Sequence, residues 1–144
     1  MSLGLLLIPL LATGPKHFTL LARFEPPTDA KALGAVSVAF TPLDPDVQIN
    51  QEPAPRLKLD PVQKLLVDKQ PPPAPVAGFD PEKAKYLDPK LPVRFPVAWA
   101  PEAPRGSQLL KANVTYFYCS KREGWCRKGT DEIEVPVSVP VAWA

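Results

Sequence analysis

Tyr118-Cys119-Ser120-Lys121-Arg122-Glu123-Gly124-Trp125-Cys126-Arg127-Lys128-Gly129 holds the only two cysteines of the chain and lies between two stretches that alternate like β-strands. Before it, Leu110, Ala112, Val114, Tyr116 and Tyr118 form one apolar face; after it, Ile133, Val135, Val137, Val139, Val141 and Trp143 form another. Alternation sends successive side chains to opposite faces of a strand. Strands entering at Tyr116 and leaving toward Ile133 therefore bring Cys119 and Cys126 opposite each other across an antiparallel pair. Facing residues in such a pair lie about 4.5–5.5 Å apart at Cα, within disulfide reach. The expectation is a hairpin with a bond closing a small ring at its tip.

Working outward, the same period recurs. Phe18, Leu20, Ala22 and Phe24 alternate with His17, Thr19, Leu21 and Arg23 until Pro26 and Pro27 end the run. Val36, Val38 and Phe40 mark a second strand over 35–40, stopped by Pro42 and the turn-forming Leu43-Asp44-Pro45-Asp46. Shorter strands are expected at 47–50, 56–59 and 62–67, the last of which also fits one or two helical turns. Val93, Phe95, Val97 and Trp99 give another apolar face. Residues 71–90, dense in proline, read as a long extended connection. Within it, Asp80 as N-cap and Pro81 at the first helical position suggest a short helix over 81–86.

The composition agrees with this pattern. Twenty-one prolines in 144 residues are about three times the usual share, and each removes a backbone donor and clashes inside a helix. Long helices are therefore excluded. The chain length suits one domain with a proper core. Seven or so short strands with turn signals about every ten residues predict an all-β, antiparallel, immunoglobulin-like β-sandwich over 15–144 with a proline-rich connection. Residues 1–14 read as a signal-like or first-strand segment: ten nearly unbroken apolar residues precede small ones, too few to span a bilayer and without a leading Lys or Arg. Membrane association, if any, is expected only through that segment. One Met and abundant proline also match the composition of heat-stable proteins.

One stretch repeats: Leu91-Pro92-Val93-Arg94-Phe95-Pro96-Val97-Ala98-Trp99-Ala100 returns as Val135-Pro136-Val137-Ser138-Val139-Pro140-Val141-Ala142-Trp143-Ala144. Two copies fall short of a repeat architecture. The prolines place both segments at sheet edges, where missing donors face solvent.

A net charge of +2 gives no field able to hold nucleic acid. His17 is the sole histidine, so the Ser-His-Asp and Cys-His arrangements lack their parts. No glycine-rich phosphate loop is present. A structural zinc site needs four Cys or His ligands, and the chain has three. No metal and no cofactor are expected. Asn113-Val114-Thr115 matches a glycosylation acceptor, but its place inside a strand makes coincidence the simpler reading.

The thiols remain. Lys121, Arg122, Arg127 and Lys128 against Glu123 make the turn locally basic, which favours thiolate over thiol. Trp125 beside Cys126 is placed to shield the pair or dock a partner. Two readings stand side by side: a redox couple that exchanges thiols with a partner, and an inert clamp on a hairpin. In the second reading the domain is a non-catalytic accessory module whose edge strands pair with another chain. A formed disulfide in either case belongs in an oxidising compartment.

At these residues the chain resembles the N-terminal extracytoplasmic domain of transmembrane thiol:disulfide interchange proteins (DsbD-type). The likeness runs through Phe18-Thr19-Leu20-Leu21-Ala22-Arg23-Phe24, Val47-Gln48-Ile49-Asn50 and Ala54-Pro55. It continues through Val114-Thr115-Tyr116-Phe117-Tyr118-Cys119, Trp125-Cys126 and the closing Val135-Pro136-Val137-Ser138-Val139. The resemblance implies an immunoglobulin-like sandwich in the periplasm or cell envelope. It also implies a protein partner, thioredoxin-like or a membrane electron carrier, and catalytic roles for Cys119 and Cys126. Val47-Gln48-Ile49 lacks the histidine common in the related segments.

Overall fold

The structure is a computed structural model that describes residues 16–28, 32–72 and 85–140. Among the described residues eight strands occur in chain order: β1 (Phe18–Glu25), β2 (Gly34–Pro42), β3 (Val47–Ile49), β4 (Arg56–Leu59), β5 (Leu66–Asp68), β6 (Val93–Trp99), β7 (Gly106–Ser120) and β8 (Trp125–Val139). Among the described residues there is no helix, as the proline content requires. Residues 1–14, most of 81–86 and the end of the second repeat copy lie outside the described residues. Tyr86, the last residue of the expected helix, instead forms an antiparallel bridge to Asn50.

Every pairing is antiparallel. The first sheet runs β1-β2-β6-β5. The second is built on β7, which pairs with β8 along its whole length from Gly106↔Val139 to Ser120↔Trp125. A strand has only two edges, so β3 and β4 must share the other edge of β7. Their registers agree: Ile49 faces Tyr118 and Arg56 faces Thr115. Seven steps along one chain thus match three along β7, and the four extra residues bulge out in a loop that holds the cis Glu52-Pro53 bond. β3 and β4 are in effect one interrupted strand.

The alternation read from the sequence sets the core. Val36, Val38 and Phe40 of β2, Phe95 and Val97 of β6, Leu110, Val114, Tyr116 and Tyr118 of β7, and Ile133, Val135, Val137 and Val139 of β8 are all buried in one apolar cluster. Aromatic rings join the sheets. Phe18 and Phe40 of the first sheet stand edge-on to Tyr116 of the second at 5.7 and 5.3 Å, a geometry that favours the ring quadrupoles. The all-β, antiparallel arrangement of two facing sheets is consistent with a sandwich.

Two expectations change. β6 is an inner strand, paired with β2 on one side and with β5 from Val97 to Trp99 on the other. Its Pro96 is tolerated there without making it an edge. The described part of the second copy, 135–140, behaves as expected, because β8 pairs only with β7 among the described residues and Pro136 faces Leu109 in that register. In the uncertain segment 62–67 only the last residues form a strand, β5, after a turn in which Val62 N–H donates to Asp60 Oδ1 at 2.9 Å.

Candidate functional site

The hairpin predicted around the thiols is present, with Cys119 and Cys126 directly facing and their sulfurs bonded. The Cα atoms are 4.0 Å apart. Beyond them the last pair is Ser120↔Trp125, leaving 121–124 as the turn. Gly124 sits at φ +75°, where a side chain would be strained, and its N–H closes the turn on Ser120 O at 2.9 Å.

Asp46, in the turn before β3, fixes this tip. Its carboxylate accepts from the Ser120 hydroxyl and from the Arg122 N–H at 3.0 Å, and the Arg122 Nε lies 3.7 Å away. Ser120 Oγ also accepts from Glu123 N–H at 3.1 Å. The Ser120 hydroxyl, foremost, holds the Asp46 carboxyl below its ordinary pKa; partial burial opposes this, while the Arg122 backbone and guanidinium add to it.

Parity decides where the disulfide points. Tyr116 and Tyr118 occupy core positions, so Cys119, one residue on, belongs to the outer face of the second sheet. It is nevertheless 0% exposed. Gln48 of β3 faces it on one side and Cys126 of β8 on the other, and the buried Asn50 places Oδ1 3.3 Å from its Sγ. In the bonded state the sulfur carries no hydrogen, so this is a close S···O contact. Cys126 lies on the edge strand and is half-buried. The two residues of one bond thus differ in burial, one fully enclosed and the other half-buried.

The basic residues picked out from the sequence divide between different settings. Arg122 is tied to Asp46. Lys121 Nζ lies 5.0 Å over the ring of Tyr86, on the segment that returns from the proline-rich connection and pairs along β3 through Leu87 N–H to Ile49 O at 2.8 Å. Arg127 stacks over Trp125 at 4.1 Å. Lys128 is exposed, faces Phe117 in the register and shares the face of Cys126. Trp125 is on the other face, against His17 at 5.4 Å and Tyr118 at 5.7 Å, with its Nε1 donating to Glu123 Oε1 at 3.3 Å. It braces the tip from the core side.

Sequence reasoning missed Asp46 and Asn50. The one signal available was a polar residue at 50 on the same face as Gln48, inside a strand whose alternate positions are Val47 and Ile49.

Chemically, the arrangement is a disulfide with one half-buried and one fully buried cysteine, compatible with a two-electron couple or a structural bond. A bonded pair points toward an oxidising environment. No protein-family model, no curated protein and no solved structure matches the chain.

Proposed function

We propose that the chain is an extracytoplasmic thiol–disulfide exchange module: an immunoglobulin-like β-sandwich of the DsbD N-terminal type that passes electrons between protein partners in the periplasm or cell envelope. The observation that carries the reading is the unequal exposure of the bonded pair at a hairpin tip, with Cys126 half-buried and Cys119 enclosed. Exchange needs one sulfur that a partner reaches and one held back to resolve the mixed disulfide. The strand order supports the fold assignment. With β3 and β4 counted as one strand, the sheets hold strands 1-2-5-4 and 3-6-7, the ABED and CFG arrangement of constant-type immunoglobulin domains.

In the reduced domain the Cys126 thiolate attacks a partner disulfide; a Cys126–partner bond forms, and the partner's other sulfur leaves with the electron pair and takes a proton from water. Cys119 then attacks Cys126 Sγ while its thiol proton passes to the partner sulfur that is leaving. The intramolecular bond re-forms and the partner's second sulfur departs. Two electrons and the Cys119 proton pass from the domain to the partner, a thioredoxin-like protein or a substrate of one, and the partner's other proton comes from water, matching the one Cys126 gave up on ionising; a membrane electron carrier restores the electrons. Lys128 on the same face favours thiolate at Cys126.

The test is the pair's reduction potential together with alkylation after mild reduction. A potential above about −300 mV, with Cys126 labelled first, is expected. A lower potential, or sulfurs inert to alkylation, overturns the reading. The complete burial of Cys119 favours a second reading, a structural bond in an accessory domain that offers the free side of β8 to another chain; those same outcomes would establish it.

A further inference from the structure

Resting on that exchange reading, we infer that Asn50 is a positioning residue that keeps Cys119 as the protonated thiol in the reduced domain, so that the thiolate is carried by Cys126. Asn50 and Cys119 are 1% and 0% exposed, and no water reaches either. Asn50 Oδ1 lies 3.3 Å from Sγ, within hydrogen-bond reach of a thiol. When the bond opens, the new Cys119 S–H faces an acceptor already in place. A buried thiol so met is stabilised against ionisation, both by the lost hydration of the thiolate and by the carbonyl dipole, whose negative end points at the sulfur.

Asn50 is itself well anchored. Its backbone N–H donates to Phe117 O at 2.8 Å, and Tyr86 bridges it from the other side. The charged groups around the pair are engaged elsewhere or lie on the side of Cys126. Asp46 and Arg122 neutralise each other on the side of the turn before β3. Glu123 is engaged by Trp125, and Arg127 lies over Trp125 on the opposite face. Lys121 stands over Tyr86, Gln48 is neutral, and Lys128 shares the face of Cys126. No carboxylate adjoins either sulfur among the described residues, so the Asn50 amide is the polar group that distinguishes them.

The experiment compares the wild type with Asn50→Leu, a side chain of the same branched shape without an acceptor. Each is equilibrated in dithiol/disulfide buffers, and the cysteine Cβ chemical shifts of the reduced protein are followed against pH, a readout that needs no reagent to reach the buried thiol. Loss of one neutral hydrogen bond to the reduced form shifts the equilibrium about five-fold toward the disulfide, which is about 20 mV at 29.6 mV per tenfold. The pH midpoint of Cys119 also falls toward that of Cys126. An unchanged equilibrium constant together with an unchanged Cys119 midpoint overturns the inference. In the wild type alone, the Cys126 midpoint lies below that of Cys119, and the reverse order overturns it equally should the variant not fold. These outcomes are separate from the test of exchange. A wild-type potential below about −300 mV removes the exchange function, whereas the wild-type to Asn50→Leu ratio still reports what Asn50 does to Cys119.

Discussion

The disulfide closes a ring of only eight residues, from Cys119 to Cys126, and this fixes how much stability it adds. By the chain-entropy relation such a ring restricts the unfolded chain by about 2.5 kcal/mol at 25 °C. For a chain of this length that corresponds to about 5–10 °C in Tm. Folding and disulfide formation are linked in one cycle, so the same quantity appears as a potential: the folded domain holds its disulfide about 50 mV more strongly than the unfolded chain does. The hairpin is already aligned by thirteen further facing pairs below the cysteines, so the bond has little native-state ordering left to perform. The assay is urea unfolding of the oxidised and reduced protein under otherwise equal conditions, paired with reduction potentials of the folded and urea-unfolded states. A stability gap of about 5 kcal/mol or more, twice the ring estimate, would show a bond built to hold the fold and would refute the reasoning that leaves it free to exchange.

Other perturbations address the surroundings of the pair. Gly129→Ala places a methyl 2.7 Å from the Tyr116 ring; the buried ring has nowhere to retreat, and a loss of about 1–3 kcal/mol is expected in chemical denaturation. Tyr116→Phe removes the 3.0 Å bond from Oη to Asp131 Oδ2 and should cost about 1 kcal/mol, while the native phenol, whose pKa burial raises foremost and Asp131 raises further, should stay un-ionised in absorbance titrations well past the ordinary value of 10. Asp46 titrates lower in the folded than in the unfolded state, so its contribution is complete above the ordinary carboxylate pKa and is lost as pH falls through the lowered value. Acid should therefore loosen the turn, seen as faster amide exchange at 121–124, and Asp46→Asn should flatten that pH dependence. Phe18→Ala, which empties a ring packed against both Tyr116 and Tyr118, should cost about 3–5 kcal/mol in thermal or urea unfolding.

Much of the fold was legible because a period of two is a local signal. The apolar sets on β2, β6, β7 and β8 were read residue by residue, and the facing of Cys119 and Cys126 followed from them. What the pattern could not give was which strands neighbour which. Pro96 and Pro136 look alike in sequence, yet one lies on an inner strand and the other on a free edge, since proline constrains only its own missing donor. The interruption between β3 and β4 was hidden for a similar reason: the break is set by where both halves meet β7. The contacts that define the site are the most remote of all. Asn50 and Cys119 are 69 residues apart, and Asp46 and Ser120 are 74, separations at which no local pattern operates.

The asymmetry of the pair follows from the topology and not from the cysteines. Cys119 and Cys126 face each other at one level of one hairpin, on the same face of one sheet, next to similar residues. They differ because β7 is an inner strand, walled by β3 on its far side, whereas β8 pairs with no strand other than β7 among the described residues. A sulfur on an inner strand at a crowded tip is enclosed by its lateral neighbours even though it points away from the core; its partner on the edge is enclosed on one side only. Placing the same Cys-turn-Cys hairpin between two further strands would seal both sulfurs, and placing it alone would expose both. A paired strand on one flank and none on the other is the arrangement that encloses one cysteine and leaves its partner half-buried, and it comes directly from the order in which the strands pair.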